Sequence, residues 1–195
     1  MQGTSTWAAV VLAGGRGRRL GGIDKPALVV GSRSLLDTAI AACSEAAQVI
    51  VAGPERPTSS AVRWAQESPV GSGPLAAMSA GIGRLSVDVT AVVVLAADLP
   101  AVDAGTVRRL VTALDASNVD VVALTDEAHR VQPLLAAYRL PALRRALHAI
   151  GEVGGLPVSR LLDHLKLATI ADHGGAAKDI DTPQDLAGWT TDEEE

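Results

Sequence analysis

The sequence predicts a single α/β domain built on a mostly parallel sheet with helices on both faces. Apolar runs alternate with helical segments along the chain, and residues 90–97 form a run that is apolar on both faces, as in a buried parallel strand. The length of 195 residues suits one domain. We expect this domain to occupy residues 1–190, followed by an acidic tail at residues 191–195.

The helices and strands are predicted in chain order from the apolar runs and from the glycine and proline residues that end them. Residues 7–12 predict a buried strand that enters a glycine-rich loop. Further strands are predicted at residues 48–52, 62–66, 90–97 and 119–124. Helices are predicted at residues 35–47, 74–85, 102–114, 141–150 and 158–165. Residues 131–138 are extended and break the alternation, which predicts a small antiparallel insertion. Ligands of such sheets bind at the carboxyl ends of the strands, so the loops after Leu12 and Ala97 are the candidate site.

Composition excludes several classes of protein. The hydrophobic content of 48% argues against disorder, and no apolar run is long enough to cross a membrane. The amino-terminal residues lack the features of a signal peptide, and the single cysteine, Cys43, excludes an internal disulfide. A net charge of −5 and an aromatic content of 2% argue against nucleic acid as a partner. We therefore expect a cytoplasmic protein that binds neither membranes nor nucleic acids.

The loop after the first strand, residues 12–26, is the main local exception to the acidic composition. It combines five glycines with Arg16, Arg18, Arg19 and Lys25. Backbone N–H groups of such a loop bind anions, and the cationic side chains add charge-assisted contacts, which favours a polyphosphate ligand. The spacing fits neither the dinucleotide fingerprint nor the Walker A loop, and a flexible surface loop with solvated charges is the alternative. Pro26 disfavours a helix at Lys25.

Two aspartate segments are candidates for metal binding. Asp98 follows the most apolar strand, where a carboxylate facing a triphosphate is a natural Mg²⁺ ligand. A turn or N-cap role is the alternative, although Asp103 is better placed to cap the next helix. Asp181 or Asp179 would supply a second carboxylate, while Asp181-Thr182-Pro183 also fits the start of a helix.

The glycine-rich loop resembles the signature of the molybdenum cofactor guanylyltransferase (MobA) family of NTP transferases. That signature reads L-A-G-G, R-M-G-G and D-K, and the matching segments here are Leu12-Ala13-Gly14-Gly15, Arg18-Arg19-Leu20-Gly21-Gly22 and Asp24-Lys25. Four later segments resemble family motifs in the same order: Gly73-Pro74-Leu75-Ala76, Ala97-Asp98-Leu99-Pro100, Gln132-Pro133-Leu134 with Tyr138-Arg139, and Asp179-Ile180-Asp181-Thr182-Pro183. The family has N-I-N-T-P at the last of these. The resemblance covers residues 7–190.

The resemblance implies a Rossmann-like nucleotidyltransferase fold and Mg²⁺-dependent transfer of GMP from GTP to the phosphate of molybdopterin, with release of pyrophosphate. It implies catalytic roles for Arg19, Lys25 and Asp98, and metal binding by Asp98 with Asp181, or Asp179 in its place. The implied nucleotide-binding residues are Leu12, Ala13, Gly14, Gly15, Arg16, Gly17, Arg18, Lys25, Gly73, Pro74 and Leu75. It also implies transient contact with proteins of cofactor biosynthesis or with acceptor proteins.

Two alternative functions remain at this stage. One is a cytidylyltransferase, or a guanylyltransferase that acts on a different phosphorylated metabolite; L-A-G-G in place of L-A-A-G favours GTP. The other is a non-enzymatic nucleotide-binding protein. The presence of both Lys25 and Asp98 disfavours it, because a protein that only binds a nucleotide has no evident need for both residues.

Overall fold

The computed structural model describes residues 6–14, 22–86 and 88–191. The strands there are β1 (Trp7–Leu12), β2 (Val29–Val30), β3 (Arg33–Ser34), β4 (Val49–Ala52), β5 (Arg63–Ala65), β6 (Ala91–Ala96), β7 (Val121–Thr125), β8 (Val131–Arg139) and β9 (Leu167–Ala171). The α-helices are α1 (Leu35–Ala42), α2 (Pro74–Ile82), α3 (Ala104–Asp115), α4 (Leu140–Ile150) and α5 (Pro183–Thr191). Short 3₁₀ segments cover Lys25–Ala27 and Val158–His164.

Seven strands form one sheet in the order β5-β4-β1-β6-β8-β7-β9. All neighbouring pairs are parallel except those of β8, which runs antiparallel to both β6 and β7. β2 and β3 form a separate antiparallel pair. The predicted mostly parallel α/β fold is confirmed, and the extended segment that broke the alternation is the antiparallel strand β8, which lies inside the sheet between β6 and β7.

The two faces of the sheet carry separate hydrophobic clusters. Alternate residues of β1 contribute to each, with Val10 in one cluster and Val11 in the other. Helices α2 and α4 pack on the first face, and α1 and α3 pack on the second. Gly81 of α2 lies so close to β1 that a Cβ atom there would come within 2.5 Å of Val10 Cγ1. The absence of a side chain therefore lets α2 pack tightly behind the site described below.

Several element bounds differ from the sequence predictions. Helix α1 ends at Ala42 rather than residue 47, because Cys43 is the C-cap and the chain then turns back toward β1 through a hydrogen bond from Ala47 N to Trp7 O. Residues 158–164 form a 3₁₀ segment rather than an α-helix. Strand β9 was not predicted, because it lies at the sheet edge and its residues are only partly buried.

A third, small cluster attaches the carboxyl-terminal segment to the body of the domain. Ile180 and Leu35 are fully buried and form the centre of this cluster. Leu28 and Trp189 pack against them. The backbone N–H of Ile180 also donates to the carbonyl of Asp98 at 3.1 Å. These contacts place residues 179–181 beside the end of β6. Of the helices described, none has the length and apolar character needed to span a membrane.

Candidate active site

A cleft of about 830 Å³ opens at the carboxyl ends of β1, β5 and β6 and the amino-terminal end of α2. This is the edge of the sheet at which ligands of doubly wound α/β folds bind. The cleft is lined by Leu12, Gly14, Lys25, Pro26, Pro54, Gln66, Glu67, Val70, Gly71, Gly73, Pro74, Ala77, Ala96, Ala97, Asp98, Leu134 and Asp181. Both loops selected from the sequence therefore contribute to one cavity, whose volume suits a nucleotide-sized ligand.

Lys25 lies at the charged end of this cleft. It is the first residue of the three-residue 3₁₀ turn Lys25–Ala27, so the loop does not continue into an α-helix at Lys25, in line with the expectation from Pro26. Proline is accepted there because its fixed φ suits the first turn of a helix. The Lys25 Nζ lies 3.4 Å from Asp98 Oδ2 and donates a hydrogen bond to Asp181 Oδ1. Burial lowers the pKa of Lys25, but the bond to Asp181 and the charge of Asp98 outweigh it, so the pKa lies above its usual value.

Asp98 follows β6 in a segment held by a hydrogen bond from Ala97 N to Leu12 O at 2.9 Å. Burial raises the pKa of Asp98. The nearby Lys25 ammonium lowers that pKa and the negative charge of Asp179 raises it further, so the pKa of Asp98 lies above its usual value. The N-cap alternative is excluded for α3, because Asp103 is its N-cap and accepts from Thr106 N at 2.7 Å. Asp98 lines the cleft, where its carboxylate accepts from Lys25 Nζ.

Asp98, Asp179 and Asp181 bring carboxylate oxygens within 4.8 Å of one another. At the start of α5, Asp185 N donates to Thr182 Oγ1 and the Asp185 carboxylate accepts from Asp181 N and Thr182 N. This is the reciprocal pattern of a capping box, in which Thr182 and Asp185 supply the capping side chains of α5. Carboxylate oxygens are the ligands that Mg²⁺ prefers, and the three side chains fit a divalent cation at this end of the cleft.

The other residues implied by the resemblance divide into three groups. Leu12, Gly14, Gly73 and Pro74 line the cleft, whereas Ala13 and Leu75 are fully buried and do not. Arg19 and the loop residues Gly15, Arg16, Gly17 and Arg18 lie outside the described residues.

Gly53, at the end of β4, shapes the floor beside the glycine-rich loop. Its φ is +149°, and a Cβ atom there would lie 2.8 Å from the carbonyl carbon and oxygen of Ala13. Only glycine fits this approach without displacing the backbone that leads into the loop.

The segment from Gln132 to Arg139 has mainly structural roles. Tyr138 is fully buried and its hydroxyl donates to Pro133 O at 2.7 Å. The Arg139 guanidinium donates to the carbonyls of Leu114, Ser117 and Val119 at 2.6–2.9 Å, which satisfies backbone groups at and beyond the end of α3. Within this segment, the residue that lines the cleft is Leu134.

Sequence reasoning missed Glu67, which lines the cleft just after β5. Its Oε1 accepts from Gly71 N at 2.9 Å, while its Oε2 is buried and has no hydrogen-bond partner among the described residues. A buried carboxylate oxygen without a donor is costly, so this atom would gain a partner if the Glu67 side chain turned toward a ligand N–H group in the cleft. The available signal was a carboxylate directly after a short apolar strand, but in the sequence it looks like an ordinary polar turn.

Arg56 is a second residue that the sequence did not single out. Its guanidinium makes a bidentate contact with Asp24, at 2.7 and 2.5 Å, and donates to Pro54 O at 2.8 Å. This contact fixes the residue before Lys25 to the connection that follows β4.

Other polar candidates lie away from the cleft. The four histidines, His129, His148, His164 and His173, are all exposed. Arg144 and Arg145 are exposed on α4, and Arg160 pairs with Asp163 at 3.3 Å. Cys43 is fully buried, and burial raises the pKa of its thiol to about 12, which makes it unreactive.

Comparison with solved structures supports the fold assignment. The chain matches the crystal structure of a molybdopterin-guanine dinucleotide biosynthesis protein A from Archaeoglobus fulgidus with a TM-score of 0.72 at 20% identity, covering 94% of this chain and 97% of that one. It also matches a 2-C-methyl-D-erythritol 4-phosphate cytidylyltransferase from Thermus thermophilus with a TM-score of 0.68 at 24% identity, covering 94% and 97%.

Sequence comparison identifies the family, whereas the solved structures support only the fold. A curated molybdenum cofactor guanylyltransferase from Shewanella amazonensis is 26% identical over 185 residues, which cover 91% of this chain and 92% of the relative. Residues 9–168 match the family model described as the MobA-like NTP transferase domain. The predicted resemblance is thereby confirmed: the protein is a nucleotidyltransferase, and the chain belongs to the MobA-like NTP transferase family.

Proposed function

We propose that the protein transfers GMP from GTP to the phosphate of molybdopterin carrying molybdenum, with release of pyrophosphate. The observation that carries this proposal is the contact of Lys25 with Asp98 and Asp181 at the mouth of a nucleotide-sized cleft. Transfer of a nucleotidyl group requires a cation that binds phosphate oxygens and carboxylates that hold a metal ion, and both kinds of side chain lie at the carboxyl edge of this sheet. The curated relatives, named as molybdenum cofactor guanylyltransferases, support the choice of acceptor.

The protein's own residues would act by positioning and by charge. Lys25 would bind triphosphate oxygens, and the backbone at Gly14 and at the amino-terminal end of α2 would direct N–H groups toward the same anion. Because the acceptor phosphate is already ionised, no side chain has to remove a proton from it. Catalysis then depends on holding the attacking phosphate in line with the α-phosphate. Arg19 and the rest of the glycine-rich loop would complete the triphosphate contacts.

The metal in this proposal is Mg²⁺, held by Asp98 and Asp181, with Asp179 as a further carboxylate. When bound, the ion would neutralise the charge that develops on the phosphates.

The choice of guanine is supported by Glu67. Guanine presents two adjacent donors, N1–H and the N2 amino group, which one carboxylate can accept together. Cytosine presents an amino group next to an acceptor nitrogen, which would face a carboxylate unfavourably. The Oε2 atom of Glu67, with no donor among the described residues, would provide the acceptor that guanine requires once the side chain turns toward the cleft. A site built for these donors discriminates strongly against a base that lacks them.

The direct test is acceptor-dependent release of pyrophosphate. Purified protein with Mg²⁺ and molybdenum-loaded molybdopterin is supplied with GTP, CTP or ATP, and the dinucleotide product is identified by mass. We expect turnover with GTP and a rate at least tenfold lower with CTP, given two lost hydrogen bonds. Faster turnover with CTP would reject the guanylyl assignment, and turnover only with another phosphorylated acceptor would reject molybdopterin.

A further inference from the structure

The ammonium of Lys25 occupies the space between two carboxylates that are proposed to hold a metal ion. It contacts Asp98 Oδ2 at 3.4 Å and is hydrogen bonded to Asp181 Oδ1. Mg²⁺ would require oxygens of the same side chains at roughly 2.0–2.1 Å. Lys25 engages one oxygen of each carboxylate, and a divalent ion held by the same two side chains would lie close to the ammonium, where two cations repel each other. The ammonium and a divalent ion therefore weaken each other's binding at this position.

We propose that Lys25 competes with the divalent cation for Asp98 and Asp181, and that a triphosphate relieves this competition by giving the ammonium a new partner in the cleft. The inference rests on the proposed function for the identity of the metal and the triphosphate. It adds a coupling: one side chain makes binding of the metal and binding of the nucleotide mutually favourable.

The position of Lys25 allows this exchange without a change of fold. Its backbone is held in the 3₁₀ turn by hydrogen bonds from Ala27 N to Asp24 O and from Leu28 N to Lys25 O, both at 3.0 Å. Asp24 is in turn held by Arg56. The four-carbon stem is flexible and the side chain lines the cleft, so rotation of the stem alone moves the ammonium from the carboxylates toward a ligand.

Lys178 provides a matched control for the general effect of removing a positive charge. It precedes Asp179 in the chain, but its ammonium pairs with Glu127 at 3.3 Å and its side chain is 60% exposed. Removing its charge changes the electrostatic field near the carboxylates while leaving the contacts of Asp98 and Asp181 with Lys25 in place.

The first measurement is Mn²⁺ affinity in the absence of nucleotide, by electron paramagnetic resonance or calorimetry at one pH. We expect Lys25→Met to bind Mn²⁺ at least tenfold more tightly than the unchanged protein, which corresponds to about 1.4 kcal/mol. Lys25→Arg should bind as weakly as the unchanged protein, and Lys178→Met should differ by less than about threefold. Lys25→Gln replaces Lys25→Met if the latter does not fold, as judged by thermal melting.

Equal or weaker Mn²⁺ binding by the neutral Lys25 variants overturns the proposal. An equal gain in Mn²⁺ affinity in Lys178→Met overturns it too, as does the absence of measurable Mn²⁺ binding in every variant.

The second measurement is the factor by which Mn²⁺ tightens binding of α,β-methylene-GTP. Chelation of Mn²⁺ by the free nucleotide is the same for all variants, so it cancels in the comparison. We expect this factor to be at least fivefold smaller in Lys25→Met; an unchanged factor overturns the role of the triphosphate.

These results separate the inference from the proposed function. Tighter Mn²⁺ binding by Lys25→Met, together with a smaller coupling factor, supports the inference even if no GMP is transferred to molybdopterin. Conversely, transfer of GMP to molybdopterin with unchanged or weaker Mn²⁺ binding in Lys25→Met supports the function and overturns the competition.

Discussion

Replacing Glu67 by glutamine tests base recognition most directly, because it keeps the shape of the side chain and changes its hydrogen bonding. The carboxylate offers two acceptor oxygens, whereas the amide offers one acceptor and one donor group. Since Oε1 already accepts from Gly71 N, the substitution forces a choice between that bond and the ligand. One charge-assisted bond to guanine should be lost, and an NH₂ group should face the base donors.

The expected loss follows from the strength of such bonds. A hydrogen bond to a charged group contributes about 1.5–3 kcal/mol, so kcat/KM for GTP should fall by roughly 10- to 150-fold in Glu67→Gln. ITP keeps N1–H but lacks the 2-amino group. The unchanged protein should therefore prefer GTP over ITP, and this preference should shrink in the variant.

The assay is initial pyrophosphate release with GTP, ITP and CTP at saturating acceptor and Mg²⁺. Glu152→Gln is the control, because Glu152 is exposed and does not line the cleft. An equal fall in kcat/KM for all three nucleotides in Glu67→Gln would refute base recognition and assign Glu67 a role in shaping the loop at Gly71. An unchanged GTP-to-ITP ratio would do the same.

The remaining predictions concern the charged end of the cleft and one helix cap. Lys25→Ala should lower transfer at least tenfold through loss of a phosphate contact, with the fold retained as judged by a cooperative melting transition, and normal turnover would exclude the triphosphate role. Asp98→Asn should abolish Mg²⁺-dependent transfer while metal-free GTP binding, measured by calorimetry, persists; a Mg²⁺ titration of activity like that of the unchanged protein would make Asp98 a turn residue. Asp103→Ala should lower the free energy of unfolding by about 1 kcal/mol at pH 7, measured with urea. Hydrogen bonds from Thr106 hold the pKa of Asp103 below its usual value, so this difference should shrink as the pH falls below about 4, and a constant difference would contradict the cap.

The sequence predicted the fold because its central strands are apolar on both faces. The run that became β6 is buried along almost its whole length, and such a strand has few alternatives to the middle of a parallel sheet. Strand β9 gave no such signal, since an edge strand needs only partial burial. The short β2–β3 pair depends on a turn of two residues and has too few positions for a periodic pattern.

The candidate site was predictable in part. Strand ends indicated Lys25 and Asp98, but their contact joins positions 73 residues apart, and the bond from Lys25 to Asp181 spans 156 residues. Local patterns cannot give such distances; only the order of the motifs suggested them. Glu67 was missed because its role depends on the burial of one oxygen atom, which is decided by tertiary packing around Gly71.

Two aspartates, Asp179 and Asp181, replace the two asparagines of the family motif N-I-N-T-P in this chain. The burial of Ile180 between them explains why both aspartates lie close to Asp98. Ile180 is fully buried and its backbone is bonded to Asp98 O, while the aspartates on either side are not buried. Both carboxylates bring an oxygen within 4.8 Å of one of Asp98. Asparagine would offer oxygen ligands there without the charge. Three carboxylates this close repel one another, and the Lys25 ammonium offsets part of that repulsion, which links the two aspartates to the proposed competition between Lys25 and the metal.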